Sequence, residues 1–172
     1  MSRPIKWFIP KPMNSYSMTK EEEQSFFYGV AEEFAKILGE EVKVNNGYGI
    51  NFKDEEYVTI NYSSKGFEFY TRIEQNRGTI EELAYDDRLL FIAWLYITSN
   101  NQGTGTKIMM HFLEHLSDTS IPVVTLNTRD KDGQRFWKRL GFAPYNEYNG
   151  KFSKLDWYLR LPYIKSSQYA KQ

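Results

Sequence analysis

The sequence predicts a single α/β domain of the α+β type, one mixed sheet flanked by helices, and three observations lead there. The run 89–97 is wholly apolar with no alternation, so both of its faces should be covered, as in a central strand. It passes through a glycine-bearing turn, Gly103-Thr104-Gly105, directly into a helical pattern that ends at Leu116. Upstream, alternating segments separated by turn residues read as an antiparallel meander, so parallel and antiparallel strands share the sheet.

Residues 1–18 form an irregular, proline-punctuated lead with room for one short strand around 7–9. Thr19-Lys-Glu-Glu22 is a capping box, and behind it Phe26, Phe27, Val30, Phe34, Ile37 and Leu38 recur at helical spacing until Gly39. Such a stripe must be buried, so its phenylalanines are core. The meander comprises 41–44, 48–53, 56–63 and 66–75, with turns at Asn45-Asn46-Gly47, Lys53-Asp54 and Ser64-Lys65-Gly66. Residues 79–87 are a short helix or loop. After the helix ending at Leu116 come a second apolar strand, 121–127, and a short helix closed by Gly141. Residues 142–148 then turn through Asn149-Gly150 into 152–163, a hairpin with a type I′ signal. The tail from Lys165 is expected to be flexible.

A chain of 172 residues suffices for one core. Its 22 basic and 22 acidic residues leave no broad field for nucleic acid, so none is expected as a partner. Lys131, Arg135, Lys138 and Arg139 nevertheless cluster on the short helix closed by Gly141, within reach of a phosphate ligand or on a solvated face. The absence of cysteine excludes disulfides, thiolate metal sites and a cysteine nucleophile. The apolar run 7–9 is too short for a signal-peptide core, and no run approaches the ~20 residues of a membrane span. A soluble cytoplasmic chain with no membrane partner is the expectation, as a monomer or a homodimer.

The turn before the long helix has the layout of a phosphate cradle. Glycine permits positive φ and close backbone approach, and the first amides of a helix have no intrahelical acceptor. The spacing GTGTK breaks the P-loop order, and GxGxxG fails because Gly105 is followed by Thr-Lys-Ile. Gln102-Gly103-Thr104-Gly105-Thr106-Lys107 instead resembles the acyl-CoA signature Q/R-x-x-G-x-G/A of the GNAT superfamily of N-acyltransferases, with Lys107 where that family prefers Gly or Ala. Residues 130–142 resemble the family's second motif, N-x-x-A-x-x-F-Y-x-x-x-G-F. Phe136, Gly141 and Phe142 fall on it, while Asp130, Gly133 and Trp137 replace its Asn, Ala and Tyr. The resemblance spans 89–161.

This resemblance implies an acyl-CoA N-acyltransferase fold in which the parallel strands 89–98 and 122–127 splay apart and hold acetyl-CoA as co-substrate, with no metal. The pantetheine arm would pair with the backbone of Leu95, Tyr96 and Ile97. The pyrophosphate would lie on the amides of Gln102, Gly103, Thr104, Gly105, Thr106 and Lys107, with Asp130 and Phe136 completing the set. The implied reaction is direct attack by a primary amine of a small molecule, amino acid or peptide. The rival reading is a CoA-binding sensor or interaction module without catalysis.

The acid and base are harder to read. Trp137 stands where the family keeps a tyrosine acid, and an indole N–H does not ionise usefully. Tyr145 is the substitute best placed by sequence, ahead of Tyr148 and Tyr96; a thiolate of pKa ~8.5 also leaves tolerably unaided. No carboxylate lies on 89–97; Asp86, Asp87, Glu68 and Glu74 flank it, and Asn127 could orient an acceptor. His111-Phe-Leu-Glu114-His115 matches the zinc pattern H-x-x-E-H. The wheel, however, places Ile108, Met109, Phe112, Leu113 and Leu116 on the buried arc, leaving Lys107, His111, Glu114 and Asp118 as a solvated face.

Overall fold

The computed structural model describes residues 20–50, 54–98, 103–144 and 156–163. Among the described residues three helices, α1 Lys20–Leu38, α2 Thr104–Leu116 and α3 Lys131–Arg139, accompany seven strands. The strands are β1 Lys43–Ile50, β2 Glu56–Ser64, β3 Phe67–Gln75, β4 Arg88–Ile97, β5 Val123–Asn127, β6 Ala143–Pro144 and β7 Asp156–Arg160. They form one mixed sheet in the order β1-β2-β3-β4-β5-β7-β6, in which β4 and β5 are parallel and the other described neighbours antiparallel. The fold class read from the sequence is therefore the one observed. The expected strand at 7–9, the capping box opening at Thr19, the Asn149-Gly150 turn and the tail from Lys165 lie outside the described residues. No described helix is long and apolar enough to cross a membrane.

The helical stripe of α1 lands in the core, with Phe27, Val30, Ala31 and Phe34 buried and Phe26, Ile37 and Leu38 packed against them. Phe34 meets Tyr62 and Phe67 edge-on, at centroid distances of 5.0 and 5.5 Å, which seats the helix on β2 and β3. The Tyr62 hydroxyl donates to the Phe27 carbonyl oxygen at 3.2 Å, and burial pushes its ionisation well above the usual phenol range. The buried arc of α2 is Ile108, Met109, Phe112, Leu113 and Leu116, as the wheel requires, and Phe112 packs edge-on against Phe69 of β3. Both helices thus cover one face of the sheet.

Two expectations need correction. Asn45-Asn46-Gly47 does not turn: β1 runs straight through, each of these residues pairing with β2. Eight consecutive pairings along β1 outweigh a local turn preference, and a Cβ on Gly47 would stand 2.9 Å from Thr59 Oγ1. At 79–87, read as a short helix or loop, the loop is observed, and it is organised by the buried Asn76 side chain. The second correction is that β4 is covered on both faces only in its first half, where Leu89, Leu90 and Ile92 are buried; Trp94 and Tyr96 are about half exposed, at 51% and 48%.

The cause of this last change is a bulge. Tyr70 pairs with Trp94 but Thr71 pairs with Ile92, so Ala93 is an extra residue in β4. Pairing with β5 ends at Ile92↔Leu126, so the strand bends away at that point.

The far end of β4 is anchored instead to the β2–β3 turn. Thr98 donates its N–H to the Gly66 carbonyl oxygen at 2.9 Å, while Ser64 Oγ and the Gly66 N–H donate to the Glu40 carboxylate just beyond α1. These donors hold the Glu40 carboxyl below its ordinary range, so their stabilisation is present at neutral pH and is lost as pH falls through the lowered value. A Cβ on Gly66 would collide with Thr98 Oγ1. Gly66→Ala is accordingly expected to cost ~1–3 kcal/mol by denaturant titration; an unchanged midpoint would show that this junction yields freely.

Candidate functional site

Beyond Ile92 and Leu126 the parallel strands part. β4 continues to Ile97 while β5 stays with β7, ending at Asn127 opposite Asp156. Leu95, Tyr96 and Ile97 therefore lie past the divergence, paired with Phe69, Glu68 and Phe67 on the β3 side and with no β5 partner on the other. Backbone groups along that free edge are available to an extended ligand.

Helix α2 begins at the mouth of this gap. Its N-cap, Gly103, is left-handed at φ 73° and ψ 17°, and no side chain caps the helix. The first helical bond runs from the Lys107 N–H to the Gly103 carbonyl oxygen at 3.1 Å, so the amides of Thr104, Gly105 and Thr106 have no acceptor within the helix. This corrects the expectation for Lys107, whose amide is already engaged and which offers only its exposed side chain. Gly103 carries the positive φ; Gly105 does not. A Cβ on Gly105 would lie 3.4 Å from Phe136 and 3.5 Å from Ile97, so the glycine sits between the end of β4 and α3. Three residues expected at the cofactor, Ile97, Gly105 and Phe136, are thus brought together from separate elements. Free amides, the positive end of a helix dipole and a surface without a Cβ fit an acyl-CoA pyrophosphate and pantetheine. Gln102 lies outside the described residues.

The second motif mainly builds structure. The Asp130 carboxylate accepts the Gly133 N–H at 2.6 Å and caps α3, an arrangement that needs Gly133, since a Cβ there would meet Thr128 Oγ1 at 2.8 Å. A capping carboxylate offers a phosphate no donor, which gives Asp130 a different part from the cofactor contact expected of it. Trp137 is 8% exposed and packed edge-on between Phe136 and Phe142, at 4.8 and 5.2 Å. Arg135 pairs with Asp132, leaving Lys131, Lys138 and Arg139 as the exposed cations of the cluster.

Alternation puts Leu89, Phe91, Thr125 and Asn127 on the sheet face away from α1 and α2. Loop 76–87 covers part of it, with Ile80, Leu89 and Val123 forming a small second core. A cleft of about 250 Å³ remains beside the strand gap, lined by Arg72, Glu74, Thr79, Ile80, Leu89, Phe91, Thr125, Leu126, Asn127 and Trp157. Leu126 and Trp157 belong to the opposite face by alternation, so the cleft reaches into the gap itself. Asn127, read from the sequence as an acceptor-orienting residue, is in its wall; Tyr145 and Tyr148 lie outside the described residues. A larger hollow beside Glu40, Ser64 and Lys65 contains none of the expected site residues.

Arg72 and Trp157 were not singled out by the sequence. The Arg72 guanidinium lies 4.7 Å from the Phe91 ring centroid and 5.4 Å from that of Tyr57, with Nε 2.8 Å from the Glu74 carboxylate. Trp157 is 6% exposed, and its indole N–H is buried with no acceptor among the described residues.

The two imidazoles of α2 differ, since His111 Nδ1 is buried with no hydrogen-bond partner among the described residues. His115 Nδ1 lies 2.8 Å from the His111 carbonyl oxygen, and the two rings are 6.1 Å apart. His111→Ala with His115→Ala should shift stability by about 0.5 kcal/mol or less and leave activity insensitive to chelator. Stoichiometric zinc in purified protein, lost in that double variant, would instead make the pair a metal site.

No protein-family model matches the sequence, and no curated protein does. Solved structures similar to this chain include Tetrahymena GCN5, 17% identical over 63% of this chain and 71% of that one, with a TM-score of 0.42. Arabidopsis thaliana Naa50, solved with the bisubstrate analogue CoA-Ac-MVNAL, is 18% identical over 59% of this chain and 70% of its own, at a TM-score of 0.39. AtaT, solved with acetyl-methionyl-tRNAfMet, is 10% identical over 86% of each chain, at 0.44. The chain is thus similar to structures of GNAT acetyltransferases, a likeness that concerns the fold alone.

Proposed function

We propose that the protein is an acetyl-CoA-dependent N-acetyltransferase acting on a primary amine of a small molecule, amino acid or peptide, and not on nucleic acid. The observation that carries this reading is the meeting of Ile97, Gly105 and Phe136 at the open end of the parallel pair. An acyl-CoA lying there would have its pyrophosphate on the amides of Thr104, Gly105 and Thr106, its pantetheine along Leu95 to Ile97, and its thioester toward the cleft. A neutral amine in the cleft attacks the thioester carbonyl; the C–N bond forms, the C–S bond breaks, and the departing thiolate takes up the proton released by the nitrogen. Glu74 and Asn127 are the polar groups in the wall that can draw and orient the amine. The test is release of free CoA from acetyl-CoA across an amine panel, with mass detection of the acetylated product; no product from any amine would count against it.

The buried setting of Trp137 favours one element of the rival, a CoA-binding module without catalysis, because this side chain does not line the cleft and serves packing. Trp137→Tyr should accordingly bring no gain in turnover, and should lower stability by ~1–3 kcal/mol through an underfilled site and a newly buried hydroxyl. A faster variant would show that the position reaches the thiolate.

A further inference from the structure

We propose that the cleft receives an amine that also carries a carboxylate, a free amino acid being the simplest member, and that the Arg72 guanidinium holds this carboxylate. The proposal rests on the transferase reading and narrows its acceptor.

Two features of the wall define the class. The Arg72 guanidinium carbon lies over both the Phe91 and the Tyr57 ring, at 4.7 and 5.4 Å from their centroids, and its Nε is within ion-pair distance of the Glu74 carboxylate. Its terminal amino groups have no partner among the described residues, and together they form the fork that matches two carboxylate oxygens. The cleft therefore presents donors in excess. Glu74 supplies the one carboxylate of the wall, which draws an ammonium toward the strand gap. A polyamine would satisfy Glu74 alone and would place a second cation against Arg72. An amine with a carboxylate satisfies both.

The test compares free amino acids, their methyl esters and the corresponding decarboxylated amines, by acetyl-CoA turnover and by saturation-transfer NMR on CoA-saturated protein. At least one free amino acid should bind and should exceed its ester and its decarboxylated amine at least tenfold in kcat/KM. Arg72→Gln should raise the KM of that amino acid at least tenfold with little change in kcat and leave the ester unaffected, and Arg72→Lys should restore part of the loss. Equal use of acid and ester, or an Arg72→Gln defect shared by both, overturns the carboxylate assignment and leaves the transferase reading intact. Calorimetry separates the two: if wild-type protein fails to bind CoA, the transferase reading falls, and amino acid binding to the CoA-free protein then decides for or against the cleft on its own.

Discussion

Gly105→Val is expected to weaken CoA binding about a hundredfold or more while the protein remains folded. That loss is ~2.8 kcal/mol of binding free energy, within reach of isothermal calorimetry. A first Cβ at this position makes ordinary contact with Phe136 and Ile97, at 3.4 and 3.5 Å, so the protein can carry it; the two methyls of valine then fill the space between α3 and the end of β4. A pantetheine or pyrophosphate group lying against the glycine has nowhere else to go. Gly105→Ala sharpens the test, because its two effects have opposite signs. Alanine in the first turn of α2 should stabilise the protein by ~0.5–1 kcal/mol, since glycine is a poor helix former, while its methyl weakens CoA. Gly103→Val acts by another route: at φ 73° it strains the backbone by ~1–2 kcal/mol and should lower stability and CoA affinity together. A folded Gly105→Val protein with undiminished CoA affinity would remove the cofactor from this turn.

Much of this arrangement was legible along the chain because its signals are local. The stripe of α1, the buried arc of α2, the apolar strand at 89–97 and the glycine turn each declare themselves within about twenty residues, through period, charge and φ. What escaped depends on residues that meet only after the sheet forms. The Ala93 bulge, which parts β4 from β5, is visible only as a slip in pairing between Tyr70 and Thr71. Arg72 looks like any polar residue on the outer side of an alternating strand, and only its register with Phe91, itself opposite Thr125, turns it into the wall of a cleft. Trp157 gave a weaker signal, an aromatic in a strand among many such aromatics. Asn45-Asn46-Gly47 misled in the opposite direction, because turn preference is local whereas the pairing that overrode it is not. At Asp130 the family pattern marked the position correctly and the residue type changed its task, from a possible ligand contact to a helix cap.

Asn76→Ala is expected to cost ~3 kcal/mol or more of folding stability and to lower turnover while sparing CoA affinity. Asn76 is fully buried, and its amide nitrogen lies 2.9, 3.2 and 3.0 Å from the carbonyl oxygens of Ile80, Leu83 and Ala84, while its oxygen accepts the Ile80 N–H at 2.7 Å. One side chain therefore closes the loop from both of its hydrogen-bonding ends. Alanine leaves the Ile80 N–H and the Leu83 carbonyl oxygen unsatisfied beneath the loop, each at a cost of ~1–3 kcal/mol if it stays buried, while the Ile80 and Ala84 oxygens keep the Leu83 and Asp87 N–H groups; part of the loop must open to water to relieve the two orphans. Opening exposes Ile80, which otherwise covers Leu89 and Val123, and it moves Thr79 and Ile80 away from the cleft. The acceptor side of the site should therefore suffer, while the turn at Gly103 to Thr106, attached to α2 at the other end of β4, should not. Asn76→Asp is nearly isosteric and keeps an oxygen for the Ile80 N–H, but it replaces the donor facing three carbonyls with a second acceptor. It should be at least as damaging as alanine at neutral pH, and it should recover as pH falls, because protonation removes the buried charge and supplies one donor. Denaturant titrations of both variants across pH, with CoA calorimetry in parallel, read these outcomes directly. If Asn76→Ala lost CoA binding and stability in equal measure, loop and cofactor turn would be a single cooperative unit, and the division of the site into a cofactor end and an acceptor end would fail.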